Sequence, residues 1–293
     1  MSDKREVIDI CSALPADWWL DYIDRQGLAI GYPARLSGAR NDKSTVPPQY
    51  RGMREYAAAL RSENISRINL VCIDGRESRG FAPPRLDTLE SAAEELDGVM
   101  TFMIGYDPAN GQRSYLEALQ SRHCVGIALS PFIAGVPISD PCWTECLEFA
   151  AARNLAVWVH SSIHFSSFSG YDIGHPRHLD DVLRRYPGLV VIAGHACWPW
   201  VLDGCSIALR HATLYFDIST FPPRVLRRPG WESLLYYGAR ELSERVLFGS
   251  SWLGSGQTIR EIADELDGLN LKGASVDLWA CENAKRLFAS LER

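Results

Sequence analysis

Short apolar runs rich in β-branched residues alternate with amphipathic segments along the chain. The apolar runs predict eight strands, at 7–10, 67–73, 99–105, 125–130, 156–161, 189–195, 212–218 and 246–251. Apolar residues at helical spacing predict helices near 50–63, 87–97, 110–122, 140–153, 176–186, 198–210, 230–243, 257–267 and 275–291. Strands separated by helices pair in parallel through crossover connections. Eight such units are the number found in an α/β fold of the (β/α)8 TIM-barrel type.

The alternative to the barrel is a doubly wound open sheet. The Gly-rich phosphate-binding turn of dinucleotide-binding sheets is absent after the first predicted strand, "VIDI". A chain of 293 residues with 46% apolar residues also suits one barrel. We therefore predict a single barrel domain over residues 1–293.

One predicted connection is unusually long for a barrel, because the second strand begins only near Arg67. Long loops without regular structure are often lids or binding loops. This loop follows a strand, which places it on the C-terminal face, where barrel active sites lie. We interpret residues 27–50 as a lid over the site, and a solvated insertion without a role is the alternative.

Charge and hydropathy limit the partners and the compartment. The net charge of −6 is spread over interspersed acids and bases, so nucleic acid and anionic membranes are not predicted partners. The longest apolar runs have strand length, so we expect no membrane-spanning helix. The N-terminus "MSDKREVID" lacks the apolar segment of an export signal. We therefore expect a cytoplasmic protein whose eight cysteines are reduced.

Two histidines lie at the ends of neighbouring predicted strands, His160 on the fifth and His195 on the sixth. Each closes an alternating pattern that directs its imidazole into the mouth of the barrel. A single buried histidine is more often a hydrogen-bonded core residue. Two of them at adjacent strand ends favour metal ligation or proton transfer.

Several segments resemble one family of metal-dependent barrel enzymes. "GHPRHLDDVLRRYPGLVVIAGHACWPWV" is similar to the signature region of the amidohydrolase-related family, which includes aminocarboxymuconate-semialdehyde and resorcylate decarboxylases. "VGIALSPF", "WVHSS", "LYFDIST", "RVLFGSSW" and "ENAKRLF" resemble further family blocks in the same order, over roughly residues 60–290. The resemblance implies a (β/α)8 barrel and, in most members, a divalent metal that is often zinc.

The same resemblance implies a specific ligand set, which this chain mostly lacks. It places metal ligands in an H-x-H motif on strand one, a histidine on strand five and an aspartate on strand eight, with a catalytic histidine on strand six. His160 and His195 match their positions, but Cys11 and Ala13 occupy the H-x-H positions and Ser251 the aspartate position. We therefore expect no metal cofactor. The alternative is zinc held by His160, His195 and Cys11.

The remaining site residues each have a functional and a structural interpretation. Cys11 is either a nucleophile activated by a histidine or an inert buried thiol. Asp217 either orients an imidazole or caps strand seven. The predicted substrate contacts, for which core packing and solvation are the alternatives, are Ser251, His164, Trp252, Trp198 and Arg76.

These observations leave three functional hypotheses. The preferred one is an enzyme that acts on a small organic acid or amide by metal-independent acid/base chemistry, such as decarboxylation, elimination, isomerisation, cyclisation or hydrolysis. In it, His160 and His195 move protons. The others are a non-catalytic binding protein and a zinc-dependent hydrolase or decarboxylase. The resemblance also implies a homo-oligomer, most simply a dimer.

Overall fold

A computed structural model of the protein describes residues 4–15, 46–80, 82–109, 116, 121–164, 169–253, 255–271 and 275–291. Eight strands run parallel, each hydrogen-bonded to the next in chain order from β1 to β8. The predicted TIM barrel is therefore confirmed. Most of the predicted lid, 27–45, and most of the predicted helix 110–122 lie outside the described residues.

The strands are β1 Val7–Ser12, β2 Ile65–Val71, β3 Met100–Tyr106, β4 Cys124–Leu129, β5 Ala156–His160, β6 Val191–Gly194, β7 Leu214–Asp217 and β8 Val246–Leu247. The helices are α1 Met53–Ser62, α2 Arg76–Arg79, α3 Leu86–Glu95, α4 Pro131–Ala134, α5 Thr144–Ala152, α6 Arg177–Arg185, α7 Val201–Arg210, α8 Glu232–Gly238, α9 Ile259–Asp264, α10 Ser275–Asp277 and α11 Asn283–Leu291. Shorter 3-10 or π turns flank several of them. No helix in these ranges is long and apolar enough to cross a membrane.

Local sequence explains how the outer helices begin and which face they bury. Thr258 and Glu261 form a reciprocal capping box at the start of α9, which satisfies two otherwise unpaired backbone N–H groups. In α6, Leu179, Val182 and Leu183 are the buried residues, at the spacing that places them on one face of a helix. These amphipathic helices cover the outer faces of the strands, so both faces of the parallel sheet are buried.

Several strands end earlier than the sequence pattern predicts, and two of them bear on the site. The predicted strand 189–195 ends at Gly194, because the residues from His195 onward turn into the left-handed region. The predicted strand 246–251 ends at Leu247. The segment after β8 still bonds to β1, since Ile10 N donates to Phe248 O (3.0 Å) and Ser251 N donates to Cys11 O (2.9 Å). These bonds close the barrel at the seam between its first and last strands.

A buried carboxylate strengthens this seam. Asp9 accepts hydrogen bonds from Ser250 N (2.8 Å), Ser250 Oγ (2.5 Å) and Cys11 N (3.3 Å). Asp9 is fully buried, so hydrogen bonds that compensate its lost hydration are essential. One acidic side chain therefore links the end of β1 to the segment after β8.

Strand packing inside the barrel depends on glycine at close approaches. A Cβ added at Gly126 on β4 would lie 2.4 Å from the carbonyl oxygen of Ala156 on β5. Because the clash is with backbone, no side-chain rotation relieves it. We expect Gly126→Ala to lower the free energy of unfolding by about 1–3 kcal/mol, measured by urea denaturation.

Gly188→Ala is the matched control, because a Cβ at Gly188 would meet no atom within 4 Å. It should change stability by less than about 0.5 kcal/mol. Equal losses in the two variants would contradict the packing explanation.

Candidate functional site

The C-terminal mouth of the barrel is formed by strand-end residues, which include Cys11, Ser130, His160, His195, Ser219 and Ser251. His160 is the last residue of β5, as predicted. The rings of His160 and His195 lie 4.8 Å apart and nearly perpendicular. Both histidines are nearly buried, with 7% and 9% exposed surface. The structure therefore brings the two predicted catalytic imidazoles together.

The alternating pattern predicts that His195 ends the sixth strand. In the structure it follows β6 and begins a tight turn. His195, Ala196 and Cys197 have φ angles of 60°, 47° and 61°. Non-glycine residues rarely adopt this region, and strained backbone often occurs at functional sites. The turn, rather than strand alternation, directs the imidazole into the mouth.

The hydrogen bonds of His195 fix its tautomer. Its Nδ1 lies 3.1 Å from the carbonyl oxygen of Ser219 and 3.0 Å from Ser219 Oγ. A carbonyl oxygen can only accept, so Nδ1 carries the proton of the neutral ring. Nε2 of His195 is consequently the unprotonated nitrogen.

Behind Ser219 lies the predicted carboxylate, Asp217. Ser219 Oγ donates to Asp217 Oδ2 (2.5 Å), and Ser219 N donates to Oδ1 (2.8 Å). Trp158 Nε1 also donates to Oδ2 (2.9 Å). Asp217 thus reaches His195 through a serine hydroxyl. In the described part of the chain, Asp217 and His195 form no direct hydrogen bond with each other.

Trp158 forms the floor of the site. Its ring centroid lies 5.5 Å from that of His195 and 6.2 Å from that of His160, edge-on in both cases. The absence of a side chain at Gly194 leaves room for it, since an added Cβ would lie 2.3 Å from the indole. Above His160, the Phe132 ring lies 4.5 Å away and is stacked on His164 at 3.7 Å. The predicted contact residue His164 therefore belongs to the aromatic wall of the mouth.

Cys11 and Ser251 meet across the barrel seam, with Cys11 Sγ 3.7 Å from Ser251 Oγ. Burial raises the pKa of the Cys11 thiol well above its usual value, and the nearby charges of Asp217 and Asp9 raise it further. A nucleophilic cysteine needs the opposite environment, one that lowers its pKa. The geometry favours the inert-thiol interpretation of Cys11.

Burial controls the charge of the site. It lowers the pKa of His195 to about 4, and that of the partly buried His164 also to about 4. Burial, together with neighbouring His195 and His164, holds the pKa of His160 well below its usual value. Desolvation raises the pKa of Asp9 and of Asp217 to about 6. At neutral pH the site therefore contains three neutral imidazoles above two carboxylates.

The other predicted substrate contacts lie elsewhere. Trp252 has 0% exposed surface, and its Nε1 donates to the carbonyl oxygen of Ala13 (3.3 Å), so it offers no surface to a substrate. Arg76 donates to both carboxylate oxygens of Asp74, at 2.6–3.2 Å. Arg76 also lines a cavity of about 490 Å³ whose lining includes none of the mouth histidines. Trp198 is half-buried against Phe221, with ring centroids 5.3 Å apart.

Several residues that complete the site were not among the predicted site residues. Asp9 lies two residues before Cys11, Trp158 two before His160, and Ser219 two after Asp217. Residues at i and i+2 of a strand share a face. The period of two from the predicted residues was therefore the signal that could have identified them.

The donor set at the mouth does not fit a zinc ion. Within the described residues, the one group of three metal-capable side chains with donor atoms inside 4.8 Å of one another is Glu6, Cys281 and Glu282. His160, His195 and Cys11 form no such group. Ala13 offers no ligand atom, and Cys11 Sγ is paired with Ser251 Oγ (3.7 Å).

The group of Glu6, Cys281 and Glu282 does not suit a metal either, because Lys285 Nζ already donates hydrogen bonds to Glu6 Oε2 (2.6 Å) and Glu282 Oε1 (3.1 Å). Its carboxylates are therefore compensated by an ammonium group. It lies near the start of β1, away from the histidines.

Comparisons with known proteins agree with this fold. A family model described as amidohydrolase matches residues 44–289. No curated protein sequence matches the chain. An uncharacterised TIM-barrel protein from Bordetella bronchiseptica has 17% identity and a TM-score of 0.76, over 98% of this chain and 100% of that chain.

Two named decarboxylases share the fold at lower similarity. A 5-carboxyvanillate decarboxylase from Sphingomonas paucimobilis has 15% identity and a TM-score of 0.63, over 98% and 99% of the two chains. A dihydroxybenzoic acid decarboxylase from Polaromonas sp. JS666, with bound manganese and the inhibitor 2-nitroresorcinol, has 14% identity and a TM-score of 0.61, over 98% and 97%.

The donor set makes a prediction about metal binding. Added zinc should not raise the Tm of the wild type, because too few deprotonated donors converge on His160. Cys11→His/Ala13→His/Ser251→Asp, which rebuilds the ligand set of the family, should bind about one zinc per chain by elemental analysis. The same variant with His160→Ala is its control. Wild-type protein that retains one zinc through dialysis against EDTA, and loses it on His160→Ala, would contradict the prediction.

The buried His195 predicts a pH dependence of stability. Its folded pKa of about 4 lies below the unfolded value of 6.5, so the unfolded chain binds the extra proton and stability falls as pH falls from 6.5 to 4. Asp9 and Asp217 act in the opposite direction, because their folded pKa values lie above the unfolded 3.8. The contribution of these two carboxyl groups to the stability of the folded protein therefore falls as pH rises from 3.8 to 6.

A comparison of wild type with His195→Gln isolates the contribution of His195 to the pH dependence of the free energy of unfolding. Between pH 6.5 and 4, the variant should lose less unfolding free energy, by up to about 3 kcal/mol, measured by urea denaturation at each pH. His123→Gln, near the start of β4, controls for loss of any histidine. Identical pH profiles for wild type and His195→Gln would show that His195 is not held neutral.

Proposed function

The chain belongs to the amidohydrolase family, and on that premise we propose that it is an enzyme that transforms a small organic molecule by metal-independent acid/base catalysis. His195 and His160 are the proposed catalytic residues. The observation that carries this proposal is the hydrogen-bonded chain from His195 Nδ1 through Ser219 to Asp217. The second imidazole next to this hydrogen-bonded ring distinguishes the pair from a single core histidine.

In this mechanism His195 is the general base. Its Nε2 is unprotonated at neutral pH and so is ready to accept a proton from the substrate or from an attacking water. As the imidazolium forms, Nδ1–H keeps its bonds to Ser219. The Asp217 carboxylate then stabilises the positive charge through the Ser219 hydroxyl.

The charge state of the site narrows the reaction type. Decarboxylation needs an acid that protonates the carbanion, and the imidazoles of this site are neutral at neutral pH. The two buried carboxylates also disfavour a substrate carboxylate beside them, because like charges repel more strongly where water is excluded. We therefore favour a reaction that begins with proton removal, such as hydrolysis through an activated water, isomerisation or elimination.

The aromatic wall supports a flat substrate. Phe132 and His164 stack in parallel at 3.7 Å, and the indole of Trp158 closes the site from below. Apolar walls with a few convergent polar groups are typical of small-molecule sites. Small aromatic or cyclic amides, esters and lactones are the proposed substrate class.

The test is a screen of such compounds for turnover in the presence of EDTA, followed by variants. His195→Gln should lower kcat/KM by about 10²–10⁴, the range of general-base catalysis, and His123→Gln should not. Turnover that EDTA abolishes and zinc restores would replace the proposal with a zinc-dependent enzyme. Turnover equal to wild type in His195→Gln would remove His195 from catalysis.

A further inference from the structure

Two buried polar atoms in the described part of the chain have no hydrogen-bond partner, Ser130 Oγ and His160 Nδ1. They are neighbours in the barrel. Leu129, the last residue of β4, pairs with Val159 on β5; Ser130 follows β4 directly, and His160 is the last residue of β5. Ser130 is 3% exposed and His160 is 7% exposed. The two residues that carry these atoms therefore lie side by side at the mouth.

Such a coincidence calls for a physical cause. Most buried polar groups in proteins have a partner, and each exception costs free energy. The buried groups nearby follow this rule, since Asp9, Asp217 and Ser219 are all hydrogen-bonded. The fold thus tolerates an unfavourable pair of groups where a substrate would be held.

We propose that Ser130 and His160 form a subsite that binds the carbonyl oxygen of the substrate. The inference rests on the proposed function and names the part of the substrate that enters the site. A serine hydroxyl and the N–H of a neutral imidazole can both donate to one acceptor oxygen. Both donors are uncharged, so the subsite suits a neutral carbonyl better than a carboxylate.

This subsite would supply the electrophilic half of the reaction. When His195 Nε2 takes a proton from the carbon next to the carbonyl, or from a water that attacks it, an electron pair moves onto the carbonyl oxygen. Hydrogen bonds from Ser130 and His160 would stabilise that developing negative charge. In an isomerisation, His195 returns this proton to another carbon of the substrate. In a hydrolysis, the electron pair returns from the oxygen to re-form the carbonyl, the C–N or C–O bond to the leaving group breaks, and His195 gives its proton to the leaving amine or alcohol.

Phe132 lies against the subsite. Its ring lies 4.5 Å from that of His160, and the two unpaired atoms are buried beneath the mouth surface. Phe132 and Ile133 pack with Ile73 in a cluster separate from the main core.

The first test is a stability comparison that needs no substrate. Ser130→Ala removes an unsatisfied hydroxyl, so its Tm should equal or exceed that of wild type. Ser219→Ala removes a hydroxyl with two partners, so its Tm should fall by about 2–4 °C or more. A Tm of Ser130→Ala that falls as far as that of Ser219→Ala would show that Ser130 has a structural partner, and would overturn the subsite.

The second test uses benzamide and benzoate as probes with protein labelled with ¹⁵N at histidine. Benzamide should shift the His160 ring-nitrogen signals and bind more tightly than benzoate. Its Kd should rise about fivefold to tenfold in Ser130→Ala, the effect of one hydrogen bond. Ser206→Ala, exposed on α7, is the control and should bind as wild type does.

An unchanged Kd in Ser130→Ala, no benzamide binding to wild type, or tighter binding of benzoate would each overturn the inference. Neither test measures turnover. If these tests contradict the subsite, the role of His195 is still decided by the activity assay. If the activity assay contradicts the role of His195, the subsite is still decided by these stability and binding measurements.

Discussion

The seam between β1 and the segment after β8 determines where the groups of the mouth lie. Asp9 bonds to both the backbone and the hydroxyl of Ser250, and backbone bonds continue on either side. Gly249 lies between these bonds, and a Cβ there would approach Asp217 Oδ1 to 2.3 Å and Cys11 Cβ to 3.1 Å. Closure of the barrel therefore requires glycine at this position, and it brings the end of β1 against the carboxylate of β7.

The same closure explains how the chain accommodates the missing metal ligands. Cys11 and Ser251 occupy two positions where the family resemblance implies ligands, and their side chains contact each other. A thiol and a hydroxyl that pair in this way are weaker metal donors than the histidine and aspartate that the resemblance implies at these positions. At these two positions the structure shows a hydrogen-bonded pair of side chains.

Exclusion of water then decides the chemistry available. Desolvation keeps the three imidazoles neutral and raises the pKa of both buried carboxylates to about 6. A neutral histidine serves as a base through one nitrogen and as a hydrogen-bond donor through the other. His195 and His160 can therefore differ in role although they are the same residue type, because Ser219 binds Nδ1 of the first and no described residue binds Nδ1 of the second.

The sequence by itself determined the strand count, the parallel barrel, the position of His160 at a strand end and the loss of the family ligands. These features follow from local periodicity and from residue identity, which act over a few neighbouring positions. Only the tertiary structure decided that Trp252 is sealed in the core, that Arg76 pairs with Asp74 and that His195 projects from a left-handed turn. It also revealed the partners of Ser219 and the lack of a partner at Ser130, because a hydrogen bond depends on distances between strands that are far apart in the chain.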